Sequence, residues 1–258
     1  MDVRVQGPGP AAPFLSAQDR FETEYDLDRP VHVRVREDPD ERTWTGHDAE
    51  KHVLNISRQA ATSAMARELA LHEFAHMARN EQAHPSHTQS TEEVLFLALS
   101  GKSVEQRRVT HCYQIANHMK DIYADDITLQ VGPTDKLVSF LESELATAVA
   151  DRPTGQGDDP AHGRDGLRLT GTADPEITAV NAAFALALVE RHDLVDPDHR
   201  LYDLAHAAAK DAPEVSLSGF KHRFASLGPE PGESEYRRAL VDATREYAVG
   251  GGGKQAAD

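Results

Sequence analysis

The sequence predicts an α+β fold: a small sheet near the N-terminus followed by a largely helical remainder. Three observations carry that prediction. Val31-His32-Val33-Arg34-Val35-Arg36 alternates strictly between apolar and polar, the period of a half-buried strand. Val53-Leu54-Asn55-Ile56 reads as a second strand. Downstream, helix-start signals recur: Ser90-Thr91-Glu92-Glu93 and Ser103-Val104-Glu105-Gln106 are capping boxes, and Asp174-Pro175 and Asp196-Pro197 are N-cap-then-proline starts.

In chain order, Gly7-Pro8-Gly9-Pro10 marks a loop and Ser16 to Tyr25 a short helix. Asp38-Pro39-Asp40 turns the chain after the first strand. A helix is expected over about Thr62 to Arg79, then a loop at Ala83-His84-Pro85-Ser86-His87. A short apolar helix reaches Leu99, stopped by Gly101, and a long one runs from Ser103 to about Asp125. Thr134 caps a helix carrying Leu137, Val138, Phe140, Leu141 and Leu145. Pro153 to Thr172 reads as a long mobile loop, and weaker helices follow around Ser218 to Leu227 and Glu233 to Tyr247. The expected organisation is a metal-binding domain over residues 1–130, a helical region over 131–249 and a disordered tail over 250–258.

At 258 residues the chain can bury a proper core. Its formal charge of -16, from 43 acidic against 27 basic residues, argues against nucleic acid or an anionic membrane as partner, because phosphates need basic neighbours. An acidic, lysine-poor, alanine-rich composition suits a high-salt cytoplasm, where carboxylates keep the surface hydrated and ions screen their repulsion. Cys112 is the single cysteine, so no intramolecular disulfide or thiolate cluster forms. Met1-Asp2-Val3-Arg4 lacks a signal-peptide pattern and no apolar run reaches membrane-spanning length, which leads to the expectation of a cytoplasmic protein.

The chemistry concentrates in Leu71-His72-Glu73-Phe74-Ala75-His76. Residues i and i+4 of a helix lie one above the other, so His72 and His76 can aim two imidazole nitrogens at one point, as a tetrahedral Zn²⁺ site requires. Glu73, about 100° further round, is placed to deprotonate a water there rather than to be a ligand. Met65, Leu69, His72 and His76 share one stripe, expected to be the buried face. The bland alternative is two satisfied core histidines beside a solvated Glu73.

The long helix offers a second polar group. Beside an apolar face of Cys112, Ile115, Ala116, Met119, Ile122 and Tyr123, the residues Gln114, His118, Asp121 and Asp125 fall within about 60° of one another. Two carboxylates stacked four residues apart repel unless a cation or proton lies near. A solvated charged edge is the competing reading.

With both helices placed, the chain resembles the gluzincin group of zinc metallopeptidases, whose His-Glu-x-x-His helix is followed by a second helix bearing Glu-x-x-x-Asp. Here the matching word is Asp121-Ile122-Tyr123-Ala124-Asp125, with Asp where Glu is usual. The resemblance covers roughly Val31 to Ile127 and implies a zincin-like sheet whose edge strand lines the cleft beside the metal. It further implies one Zn²⁺ per chain, Asp121 as third ligand and Asp125 as the carboxylate orienting a ligand imidazole. Because Asp is shorter than Glu, either the second helix approaches closely or His118 ligates instead. The metzincin pattern does not fit, since Arg79 and Gln82 stand where its glycine and third histidine belong. End to end, the sequence is similar to an uncharacterised haloarchaeal protein family of unknown function. The implied activity is zinc-dependent hydrolysis of a peptide or protein substrate with Glu73 as general base, and His118, His111 or Tyr123 as oxyanion donors. A metal-stabilised binding or regulatory protein retaining that fold is the alternative.

Overall fold

A computed structural model describes residues 1–38, 43–151 and 174–250. The expected turn at Asp38-Pro39-Asp40 lies largely outside these residues, and the Pro153–Thr172 loop and the tail beyond Gly250 lie wholly outside. The described chain is α+β, with one four-stranded sheet and a majority of helix. Two compact units share it. The first comprises Met1–Ser90, Asn117–Lys136 and Pro229–Arg237; the second comprises the described residues of Thr91–Ala116, Leu137–Gly228 and Arg238–Asp258.

The first unit holds the sheet, in the order β1 (Val3–Gln6), β2 (Val31–Arg36), β4 (His52–Ser57), β3 (Trp44–His47). β1, β2 and β4 are parallel, and β3 pairs antiparallel to β4 at the edge. Strict alternation in β2 buries Val31, Val33 and Val35 on one face, where Leu54 and Ile56 join them from the matching register of β4. The chain leaves β1 through Gly7, whose φ of +103° and position against Val35 O leave no room for a Cβ.

α1 (Ala12–Phe21) starts and ends four residues before the expected helix, opened by Pro13 in its first turn. It brings Phe14, Ala17 and Phe21 onto the sheet's apolar face. The expected helix from Thr62 starts four residues later, at Ala66, and a separate short helix precedes it. Ser57 caps α2 (Arg58–Ala61), and the Thr62 and Ser63 hydroxyls bond back to its carbonyls, closing it instead of opening a new helix. α3 (Ala66–Glu81) follows, and α4 (Pro85–Thr88) is a single turn where a loop was expected.

α5 (Thr91–Leu99) begins where its capping box predicts. α6 (Gln106–Val131) opens later than Ser103, because the Glu105 carbonyl takes the first helical bond, from Val109 N–H at 3.1 Å. It runs past Asp125 because Ile127 and Val131 continue its buried face. Residues 117–131 of α6 belong to the first unit, and Ala124, Ile127 and Val131 enter that unit's core.

The second unit is helical. α7 (Thr134–Ala150) contributes Val138 and Leu145 to its core. α8 (Pro175–Arg191) is buried on nearly every side from Ile177 to Val189 and is capped by Asp174, as Asp-Pro predicts. α9 (Arg200–Asp211) is capped by His199 rather than by Asp196, the residues before it forming a turn. α10 (Leu217–Ala225) and α11 (Glu233–Gly250) complete the chain. Among the described residues, no helix is long and apolar enough to cross a membrane.

Candidate metal centre

The first unit places the two sequence motifs face to face. α3 turns Ala66, Ala70, Leu71, Phe74, Ala75, Met77 and Ala78 inward. That rotation corrects one expectation: the stripe of Met65, Leu69, His72 and His76 is half-buried, because the neighbouring residues take the core. The His72 and His76 side chains keep 24% and 16% exposure, enough to be reached from solvent. Glu73 is not a solvated residue; it is buried, and Thr45 Oγ1 on the edge strand β3 donates a hydrogen bond to its carboxylate.

From α6, Asp121 and Asp125 meet the histidines. His72 Nε2 and His76 Nε2 are 3.0 Å apart, and Asp121 Oδ1 lies 3.8 and 3.3 Å from them. Zn–N and Zn–O bonds of ~2.0–2.1 Å at tetrahedral angles put ligand atoms about 3.3–3.4 Å apart. The three observed edges bracket that value, so one ion fits among them with little movement. α3 and α6 also meet beside this group, where Arg79 Nε donates to Tyr123 O at 2.9 Å. His118 stands aside, its Nδ1 3.6 Å from the other Asp121 oxygen.

Each histidine is held from behind by a different partner. His72 Nδ1 lies 2.8 Å from Asp125 Oδ1, and Asp125 is buried. His76 Nδ1 lies 2.7 Å from His87 Nε2, which opens a chain the sequence did not reveal. His87 Nδ1 is 2.7 Å from Ser86 Oγ, and Ser86 Oγ is 2.7 Å from His84 Nδ1. The proton order follows from one fixed donor. Ser86 backbone N–H donates to His84 Nδ1 at 3.2 Å, so that nitrogen carries no hydrogen. The Ser86 hydroxyl must then donate to His84 and accept from His87 Nδ1–H. With the His87 hydrogen on Nδ1 given to Ser86, Nε2 is the acceptor of that ring and takes the His76 Nδ1–H. The His76 Nε2 lone pair is thereby aimed at Asp121 and His72.

Three electron-rich atoms facing one another need a cation. In the metal-free protein a proton serves. Burial disfavours His72 imidazolium, but the Asp125 charge and hydrogen bonds with Asp121 and Asp125 outweigh it and raise its pKa well above the usual value. Burial works against Asp121 carboxylate too, and the facing His118 and His72 hold its pKa well below the usual range. A metal ion must displace the His72 proton, since imidazole binds metal only when deprotonated.

A second imidazole pair, also invisible in the sequence, lies on the sheet face that bears Thr45. His47 Nδ1 is 2.7 Å from His52 Nδ1, and His52 Nε2 is 3.0 Å from Glu81 Oε1. Glu81 also accepts from the Asp28 and Arg29 backbone N–H groups at 2.8 and 2.9 Å. Burial first, then the neighbouring His52, lowers the His47 pKa to about 4. Two of the expected oxyanion donors are elsewhere engaged. Tyr123 is fully buried, its ring 4.5 Å from that of His84, and His111 belongs to the second unit, where Tyr247 holds it.

The chain belongs to the family of unknown function DUF5781, which it matches over residues 1–249. No curated protein and no solved structure matches it.

Proposed function

We propose that this DUF5781 member is a zinc-dependent hydrolase of zincin-like architecture, acting on peptide bonds, with His72, His76 and Asp121 as the zinc ligands. The observation that carries the reading is the convergence of His72 Nε2, His76 Nε2 and Asp121 Oδ1 to within 4.8 Å of one another, with no further His, Cys, Asp or Glu in the group among the described residues. Three protein ligands leave a coordination position open, the mark of catalytic rather than structural zinc sites. When bound, zinc would polarise a carbonyl and lower the pKa of water in that position to about 7.

The chain's own groups divide the remaining work. Glu73 follows a ligand histidine on α3 and would accept the proton of the attacking water, then return it to the leaving amine. Thr45 Oγ1–H holds that carboxylate against β3. Asp125 fixes the His72 ring and tautomer. His118, half-buried beside Asp121, is the remaining candidate donor to the developing oxyanion. The outer side of β3 is a sheet edge among the described residues, able to pair with an extended peptide; this favours a peptidase over other hydrolases.

The test is metal content and turnover together. Protein purified in high-salt buffer without chelators should carry about one zinc per chain by atomic absorption. Glu73→Gln should keep that zinc while hydrolysis of unfolded protein or a peptide library falls about 10²-fold or more. Zinc without any hydrolysis in the wild type would favour the metal-stabilised binding protein, and equal loss of metal and activity in the variant would make Glu73 structural.

A further inference from the structure

Resting on the zinc reading, we infer that His84, Ser86 and His87 form a built hydrogen-bond relay that positions His76 as a ligand, fixing which of its nitrogens carries the proton and which faces the ion. The segment is shaped for this. α3 ends in a Schellman turn, with Ala83 N–H bonded to Asn80 O and His84 N–H to Arg79 O, both at 3.0 Å. The left-handed position of that turn is normally glycine, yet here Ala83 occupies it at a φ of 51°. An L-residue there costs about 1–2 kcal/mol, a strain the surrounding contacts must hold.

The turn reverses the chain so that residues just beyond α3 come back against its last full turn. His84 then serves as N-cap of α4, accepting from Ser86 N–H, with Pro85 preset for the first helical position. This one-turn element fixes the Ser86 and His87 side chains. Ser86 and His84 are both buried, so water does not compete for the link between them. Successive heavy-atom distances of 2.7 Å run from His76 to His87, Ser86 and His84. The proton order derived above leaves His76 only one tautomer, with Nδ1–H pointing away from the metal position and the Nε2 lone pair towards it.

The two ligand histidines are thus supported by unlike groups. His72 leans on the anionic Asp125, which raises ligand basicity, whereas His76 leans on a neutral chain, which orients without adding charge. His87 is a positioning residue: its partner is His76, not the ion or the substrate.

The experiment is competitive zinc titration of the full chain in high salt, comparing wild type with His87→Ala and His87→Gln. The Gln side chain can place an amide oxygen near the position of the lost Nε2 and keep the acceptor. His87→Ala should weaken zinc binding about 10–100-fold, and His87→Gln should recover most of that loss. Unchanged affinity in His87→Ala, or a His87→Gln as weak as His87→Ala, overturns the relay. Wild-type protein that takes up no zinc overturns the zinc reading first and the relay with it. A second measurement needs no variant to fold: ¹⁵N NMR of the metal-free wild type should show His76 protonated at Nδ1 and not at Nε2. The opposite tautomer overturns the proton order.

Discussion

Asp121→Ala should leave the chain unable to retain zinc under conditions where Asp125→Ala still binds it. Asp121 Oδ1 sits 3.3 Å from His76 Nε2, within the triangle an ion would share, whereas Asp125 touches only the far nitrogen of His72 at 2.8 Å. Losing a residue that orients a ligand typically weakens metal affinity about 10–100-fold, so Asp125→Ala belongs in that range and Asp121→Ala beyond it. His118 meets the outer oxygen of Asp121, so His118→Ala should act chiefly on turnover. Competitive titration of the three variants decides the order. If His118→Ala loses the metal while Asp121→Ala keeps it, the centre is a three-histidine site and the ligand assignment fails.

Phe74→Ala should cost about 3–5 kcal/mol of stability in the metal-free protein, a large part of what a typical domain has. Phe74 lies within the metal motif yet points the other way. It is fully buried, with its ring edge-on to Phe21 of α1 at 5.9 Å, in a cluster with the β2 valines. Truncation leaves a cavity between α1 and α3 and removes the aromatic pair. Urea unfolding should show a lower midpoint at unchanged slope. Zinc at saturating concentration should restore part of the loss, because a ligand binding only the folded state adds stability by mass action. A midpoint within error of wild type would mean that α3 is not anchored through this residue.

Phe74 and the two histidines occupy different faces of one helix, and the sequence displayed those faces unequally. The His72–His76 spacing was legible because i, i+4 adjacency is local helical geometry. The rotation of that stripe out of the core was not, since which neighbours turn inward depends on what the sheet and α1 offer. β2 was legible because its alternation matches a single buried face. β1, only four residues long, and β3, with Gly46 at its centre, carry too little pattern; register with their partner strands makes them strands. Helix ends moved where hydroxyls or carbonyls found other partners, as at Thr62 and Glu105.

By itself, the sequence determined an α+β chain, a two-histidine helix with a glutamate beside it, and a second helix offering His118, Asp121 and Asp125. Tertiary structure decided which of those three completes the triangle, because that depends on how α3 and α6 pack against each other. It also decided the groups behind the ligands. His87 reaches His76 only through a left-handed turn at an alanine, a conformation local preference disfavours. His47 reaches His52 only through strand register. Spacing along a helix is fixed by its pitch, whereas contacts between elements are fixed by packing, and only the first can be counted off in a sequence.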